Sequence, residues 1–358
     1  MKRILVTGAG GSPATNFVRS LRAAPEPVHL VGTDADRYCL MRAETDARYL
    51  VPPASDPAYL RVLNAIVERE RVGLVHAQND AEVAFLSEHR GEVGARLFLP
   101  DAATVRTCQD KFLSFRRWQA AGLKVPDTLL LRSEDDLKAA FERFGGALWL
   151  RAVSGAGGRG ALAVRDFDTA RSWLDFHRGW GSFTAAELLE PDSITWMSVW
   201  HDGELVVAQG RRRLYWELSR VSPSGVTGVT GAGVTVADAA LDGIATRAVL
   251  AVDQRPHGLF GVDLTYDRGG VPNPTEINVG RFFTTHQFFT ALGLNLPEVY
   301  VRLAFGEPPP PIARRHNPLP EGRVWVRGVD FEPVLTSVEE VDRHAAALEE
   351  LKRELDGR

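Results

Sequence analysis

Residues 258–281 read GLFGVDLTYDRGGVPNPTEINVGR, and the way these residues pair organises the reading of the whole chain. Apolar alternation on both sides of Gly269-Gly270 predicts an antiparallel hairpin. Pairing about that centre sets Asp263 opposite Glu276. Side chains alternate along a strand, so Asn278 shares the face of Glu276 and three oxygen donors converge. Such a set suits one or two Mg²⁺ ions, hard cations that complete their shells with water and nucleotide phosphate. The competing reading is an ordinary polar strand surface facing solvent. Arg281 follows closely and is placed to contact a phosphate or to pair with an acid of the cluster.

Two glycine loops lie upstream. SGAGGRG at 154–160 falls between expected strands at 147–153 and 161–165, so its amides can fold over a phosphate chain as a flap. It is not a P-loop, since no GxxxxGK[ST] run leads into a helix. A purely structural glycine hairpin is the alternative. The other loop, GAGGSP at 8–13, follows a strand and opens a helix, with Asp34 closing the next strand as in dinucleotide-binding folds. Pro13 stands where that fingerprint has its third glycine. A tight turn whose helix N-terminus faces a substrate anion, or only solvent, is the other reading.

Working outward, residues 1 to about 100 alternate strands (3–7, 28–32, 73–76, 97–99) with helices (near 15–23, 56–70, 80–89), which predicts a small parallel-sheet domain. Thr107 to Asp110 has capping-box spacing ahead of an aromatic helix that Gly122 and Pro126 end. Hairpins follow, with strands at 194–200 and 204–208 around Asp202-Gly203. The Ser/Gly/Thr-rich stretch 219–235 reads as a mobile surface loop. Pro308 to Pro311 reads as a stiff connector, followed by a strand at 324–326. A terminal helix follows, with a capping box from Ser337 to Glu340 and a Glu349/Arg353 pair.

With 358 residues, 44% hydrophobic and 25% charged, the chain has the composition of a folded protein of two or three units. Lys plus Arg (42) against Asp plus Glu (46) leaves a charge of -4, without the basic excess that binding a phosphate backbone demands, so no nucleic-acid partner is expected. Cys39 and Cys108 have no zinc-ligand spacing. No signal peptide or membrane-length apolar run is legible, and a cytoplasmic protein with no membrane partner is expected.

Taken in order, these pieces resemble the ATP-grasp superfamily over roughly residues 1–305, especially ligases related to the large subunit of carbamoyl-phosphate synthase. Asp110-Lys111 and the AGLKVP run at 121–126 are similar to the entry of its ATP-binding module, which gives Lys111 a phosphate contact. WLRAV at 149–153 resembles the strand before the flap, with Arg151 where a nucleotide-binding lysine usually stands; Arg keeps the charge and changes its shape. Ser154, Gly157 and Gly158 belong to the flap. AAELL at 185–189 resembles the adenine-reading hinge, with Glu187 and Leu189 in it and Glu190 near the ribose. Ile194 departs from the family, where many members have a second ribose-binding glutamate. EIN at 276–278 matches the metal motif, with Asp263 the earlier acid, while VGR replaces a common Pro-Arg ending.

The resemblance implies an α/β and α+β chain. A Rossmann-like domain (1–106) precedes a two-lobed ATP-grasp module (107–307, lobes about 125–187 and 188–307) and a C-terminal appendage (308–358). The implied activity is ATP- and Mg²⁺-dependent ligation of a small-molecule carboxylate to an amine or thiol through an acyl phosphate. Two Mg²⁺ ions, replaceable by Mn²⁺, are implied, and a homodimer is compatible with the reading. Arg281, Arg213 and Arg211 are the catalytic candidates; alternation puts Arg211 and Arg213 on one side of a strand, to hold a carboxylate or the γ-phosphate. A solvated basic edge is the other reading of that run. Asn79, Asp80 and Glu82 lie at the ligand edge of the first sheet, although Asp80 also suits a helix cap. His76, His257 and His286 read as ordinary polar or core histidines. The rival functions are a small-molecule kinase, carbamoyl-phosphate synthesis, an NAD-dependent oxidoreductase and a nucleotide sensor without chemistry. The intact metal acids speak against the last two.

Overall fold

The computed structural model describes residues 1–155, 157–328 and 334–357; Ala156 of the expected flap lies outside them. The first part runs β1 (Lys2–Val6), α1 (Ser12–Arg22), β2 (Val28–Asp34), α2 (Arg37–Met41), β3 (Ala47–Leu50), α3 (Tyr59–Arg69), β4 (Leu74–His76), α4 (Asp80–Glu88) and β5 (Arg96–Leu97). These strands form a parallel sheet in the order β3-β2-β1-β4-β5. Ile4, Leu5 and Val6 are fully buried, as an apolar strand covered on both faces must be. The short α2 and β3 occupy a stretch to which the sequence reading assigned no element.

Two helices, α5 (Ala102–Gln109) and α6 (Lys111–Ala120), lead onward. Thr107 is interior to α5, its hydroxyl donating to Ala103 O at 2.9 Å, so it caps nothing. The cap of α6 is Asp110, whose carboxylate accepts from the Phe112 and Leu113 amides at 2.9 Å. The expected start was therefore three residues early, because a carboxylate at the turn satisfies the orphan amides better than a hydroxyl one turn back.

Next come β6 (Thr128–Leu131), α7 (Glu134–Arg143), β7 (Leu148–Ala152), β8 (Leu162–Val164), α8 (Phe167–Phe176) and β9 (Phe183–Glu187). Their strands pair antiparallel in the order β6-β9-β7-β8. The rest runs β10 (Ser193–His201), β11 (Glu204–Trp216), β12 (Thr230–Val236), α9 (Ala239–Val252), β13 (Gly258–Tyr266), β14 (Pro272–Val279), α10 (His286–Ala291), α11 (Leu296–Ala304), β15 (Val324–Val326) and α12 (Val338–Asp356). Its strands form one antiparallel sheet, β14-β13-β10-β11-β12-β15. The expected loop at 219–235 thus becomes a strand from Thr230, held between β11 and β15.

The two faces of this sheet are covered differently. Ile194, Trp196, Val262 and Ile277 pack with Leu241 and Ala245 of α9. Met197, Val199 and Leu259 pack with Phe17, Phe282 and Tyr300, joining the sheet to the first part of the chain. His76 stacks on Phe17 with ring centres 4.2 Å apart, and burial lowers its pKa to about 3; it is a neutral core residue. Helix α12 returns to the first sheet, with Leu348 and Leu351 in the shared core and Arg37 paired to Asp342 at 3.0 Å. Ser337 caps it through the Glu340 amide at 3.1 Å. The expected Glu349/Arg353 side-chain pair gives way to Lys352–Glu349 at 3.2 Å, while Arg353 Nε reaches the Glu349 carbonyl.

Gly10 is where the first turn is tightest. A Cβ there would lie 1.9 Å from Cys39 O, and a backbone oxygen yields only by moving α2. Gly10→Ala is expected to cost about 1–3 kcal/mol or more, the range for overpacking, as a lower urea midpoint with unchanged slope; an unchanged midpoint would show that α2 is not seated on the turn.

Candidate active site

Five residues line up across the large sheet. Thr235, Arg211, Thr195, Asp263 and Glu276 are neighbours in turn across β12, β11, β10, β13 and β14, and residues so paired share a face. Asp263 and Glu276 are thus directly opposed, with Asn278 two residues beyond Glu276. The Asp263 carboxylate accepts from Thr195 Oγ1 at 2.5 Å and Asn278 Nδ2 at 3.0 Å.

Cations ring this pair. Lys111, 8% exposed at the start of α6, places Nζ 3.4 Å from Glu276 Oε1 and 2.7 Å from Gly155 O, which it donates to. It therefore links Glu276 to the start of the 154–160 glycine loop. Arg151 donates from Nη2 to Thr275 O at 2.9 Å, spanning from the four-stranded sheet to β14. Burial lowers its pKa, against the pull of Glu276 and Asp263. Arg213 Nη2 lies 3.7 Å from Asp263 Oδ1, and its guanidinium sits 3.6 Å from the centre of the Trp216 ring. Arg281 makes a two-pronged contact with Asp80 and donates to Asn278 Oδ1 at 2.8 Å. Burial opposes its charge, but Asp80 outweighs burial and leaves its pKa raised.

Asp80 is therefore more than part of a helix start. The cap of α4 is Asn79, which accepts from the Glu82 amide at 2.9 Å. Asp80 is freed to line a small cleft with Gln109, Lys111, Ser154, Glu276, Asn278 and Arg281. Glu82 turns inward and is 5% exposed. The Thr195 hydroxyl, which also receives Arg211 and Arg213 at 3.3 Å, was not singled out in the sequence. Alternation within β10 marks its face, but only the sheet order puts it beside Asp263.

The flap is seated. A Cβ on Gly158 would lie 2.5 Å from Val226 O, so the glycine tip packs on the 218–229 segment while Ser154 faces the cleft. Gly157 and Gly158 line a second hollow with Trp173 and Val226. In the stretch expected to be a hinge, the Glu187 and Glu190 amides are used by Asp127 O and Tyr266 O at 2.9 Å, and both side chains are exposed, with Leu189 half-buried. Ile194 is 1% exposed in the α9 core, so it faces away from the cleft.

The first glycine turn offers no comparable site. Asp34, the residue that would read a ribose in a dinucleotide fold, accepts from the Gly10 and Asp36 amides at 3.0 Å, and α2 fills the space beyond Gly10. Asp34 holds the turn instead.

Asp263, Glu276 and the Asn278 carboxamide are all-oxygen donors, the chemistry Mg²⁺ takes. The cations now touching them occupy the places of opposite charge, so the residues fit the ion. Among the described residues no helix is long and apolar enough to cross a membrane.

Comparison with known proteins bears on the fold. Residues 4–96 match the family described as PylC-like, N-terminal domain. Among solved structures, biotin carboxylase of Campylobacter jejuni, in a complex with an ATP analogue, is 18% identical with TM-score 0.68, covering 87% of this chain and 72% of its own. An L-amino acid ligase of Bacillus licheniformis is 14% identical with TM-score 0.66, covering 85% and 74%. Carboxyaminoimidazole ribonucleotide synthase of Aspergillus clavatus, complexed with ATP, is 15% identical with TM-score 0.66, covering 99% of both chains. No curated protein matches the sequence. The expected α/β and α+β architecture is thus shared with these solved structures.

The buried Glu82 gives the first sheet a pH signature. Burial pushes its pKa from 4.5 to about 7, against hydrogen bonds from Thr7, Tyr59 and Asn79. The folded state then holds a proton that the unfolded chain loses above 4.5, so stability falls as pH rises from there to 7 and levels off above. The loss is about 3 kcal/mol. Urea titrations from pH 4.5 to 8 are expected to show this decline, with Glu82→Gln flattening it; an equal decline in the variant would assign the slope elsewhere.

Proposed function

We propose that the protein is an ATP- and Mg²⁺-dependent ligase that activates a small-molecule carboxylate as an acyl phosphate and transfers the acyl group to an amine, or less commonly a thiol, releasing ADP and phosphate. The observation that carries this reading is the opposed Asp263–Glu276 pair with Asn278, ringed by Lys111, Arg151, Arg213 and Arg281. A site of that charge pattern suits polyphosphate bound through cations on both sides of a metal.

In this account Mg²⁺, held by Asp263, Glu276 and Asn278, supplies charge neutralisation and alignment for the ATP phosphates, and Mn²⁺ is able to replace it. Lys111 and Arg151 hold phosphate oxygens from the flap side. The 154–160 flap covers them and excludes water, while Glu187, Leu189 and Glu190 border the base and ribose. A substrate carboxylate oxygen attacks the γ-phosphorus as the bond to the ADP oxygen breaks. Arg281 and Arg213 offset the charge that accumulates on the transferring group, which is where fixed cations in a dry cleft act most strongly. The amine nitrogen then attacks the acyl carbon, phosphate departs with the bonding pair, and the proton of the new ammonium passes to that departing phosphate. No enzyme nucleophile is needed, since positioning does the work.

Asp80 has a positioning role in this scheme. Its paired contact sets the Arg281 guanidinium against Asn278, so Asp80→Asn is expected to lower kcat more than it raises the KM for ATP.

ADP and phosphate release measured across pooled amino acids and other carboxylates, with and without amines, tests the reading. Release that needs both partners and gives a product of their summed mass less water supports it. A single hydroxylated compound that gains a phosphoryl group would replace it with a kinase. Glu276→Ala is expected to abolish turnover while leaving the unfolding free energy from urea titration within about 1 kcal/mol of the parent, as for a partly exposed polar site. Lys111→Ala is expected to weaken ATP binding as well as turnover; full turnover in a folded Glu276→Ala variant would sink the metal assignment.

A further inference from the structure

Arg211 stands second in the row, between Thr235 and Thr195, and among the described residues it forms no ion pair of its own. It is 2% exposed. Its Nη2 reaches Thr195 Oγ1 at 3.3 Å, a long contact shared with Arg213, and its Nε and Nη1 are buried with no hydrogen-bond partner among the described residues. The Phe283 ring lies under the guanidinium with its centre 5.0 Å away. The acid of the row, Asp263, is already taken by Thr195, Asn278 and the neighbouring Arg213. Burial, together with the Arg213 cation alongside, draws the Arg211 pKa down to about 9.

An unpaired buried guanidinium is costly, because desolvation is offset only when an anion and further hydrogen bonds satisfy it. The fold nevertheless makes room for it. Gly233, diagonally across in β12 and itself paired with Arg213, would bring a Cβ to 3.1 Å from Arg211 Cδ, so a larger residue there would crowd the side chain. A cation so accommodated, with two nitrogens unused, is arranged for an anion that arrives with a ligand.

We propose that Arg211 binds a second anionic group of the acid substrate, a carboxylate or phosphate distinct from the carboxylate that is activated, so that the enzyme takes a substrate bearing two acids. This deepens the ligase reading and rests on it. Arg211 lies two strands from Asp263, about 10 Å at the usual strand spacing. The activated carboxylate sits by the metal acids and Arg213, and the second acid extends along the row past Thr195. An apolar acid would leave Arg211 unsatisfied and bind poorly, as sites built around a buried polar group discriminate against ligands that lack its partner.

Calorimetry of the full chain with Mg²⁺ and ADP, at fixed ionic strength, separates the cases with three probes: succinate, phosphoglycolate and butyrate. At least one dianion is expected to bind about tenfold or more tightly than butyrate, as a charge-assisted bond permits, and which one does so tells carboxylate from phosphate. Arg211→Met is expected to erase that preference while leaving ADP affinity unchanged. It is also expected to raise the melting temperature of the ligand-free protein, whereas removing a merely structural arginine would lower it. Arg211→Lys keeps the charge and should retain part of the preference, providing a second variant if the first misfolds. Equal binding of butyrate and both dianions, or a preference that survives in Arg211→Met, would overturn the proposal. Ligation of a monocarboxylate at full rate would overturn it too while leaving the ligase reading intact. Failure of every acid to drive ADP release would count against that reading alone, since binding preference needs no turnover.

Discussion

Two carboxylates on adjacent strands, Asp263 and Glu276, face each other across the hairpin, and their mutual repulsion is the constraint around which the rest is arranged. Like charges directly opposed destabilise a strand pair. Here the cost is offset from three directions: Lys111 from α6, Arg213 from β11, and the Thr195 and Asn278 side chains on the same face. Each comes from a separate stretch of chain. The acidic pair therefore also acts as a folding junction, since its partners meet only when the helix, the flap base and the sheet are assembled.

The same arrangement couples the first part of the chain to the chemistry. Asp80, the first residue of α4 just beyond strand β4, fixes Arg281 from outside the large sheet. Phe17 and His76 lie tilted against Phe282, immediately beside it, and Tyr300 meets the same ring edge-on. Rigid aromatic packing next to a guanidinium reduces the orientations it must search, which is how a supporting shell sharpens a site. Ligand edges at the carboxyl ends of parallel strands are a general property of open sheets. In this chain that edge contributes Asp80, while Asp34 and Glu82 are consumed in holding the turn and core.

Much of the site was legible because the hairpin obeys simple alternation. The Asp263–Glu276 register came out as expected, although the loop is tighter than a turn centred on Gly269-Gly270. Tyr266 pairs with Pro272, and an irregularity between Asp263 and Leu264 restores the count. Lys111 and Arg151 were readable from their resemblance to a nucleotide module, and both approach the acids. What sequence reading missed depends on non-local pairing. Thr195 acquires its meaning from the order β11-β10-β13, which no local pattern encodes. Strand β12 reads as loop from its glycine-rich composition, yet Gly231 and Gly233 leave the room in which the Tyr215 and Arg211 side chains lie. Residues that weaken a strand by themselves are required there by the side chains crossing it.

The most direct test of the central claim is positional isotope transfer. With the carboxylate identified by ADP release and labelled with ¹⁸O in its carboxyl group, the phosphate released during ligation is analysed by mass spectrometry. An acyl-phosphate route expects one carboxyl ¹⁸O to appear in phosphate for each product formed. Ligation that yields phosphate without label would mean that the carboxylate never attacked the γ-phosphorus, and the role assigned to the Asp263–Glu276 site would be contradicted.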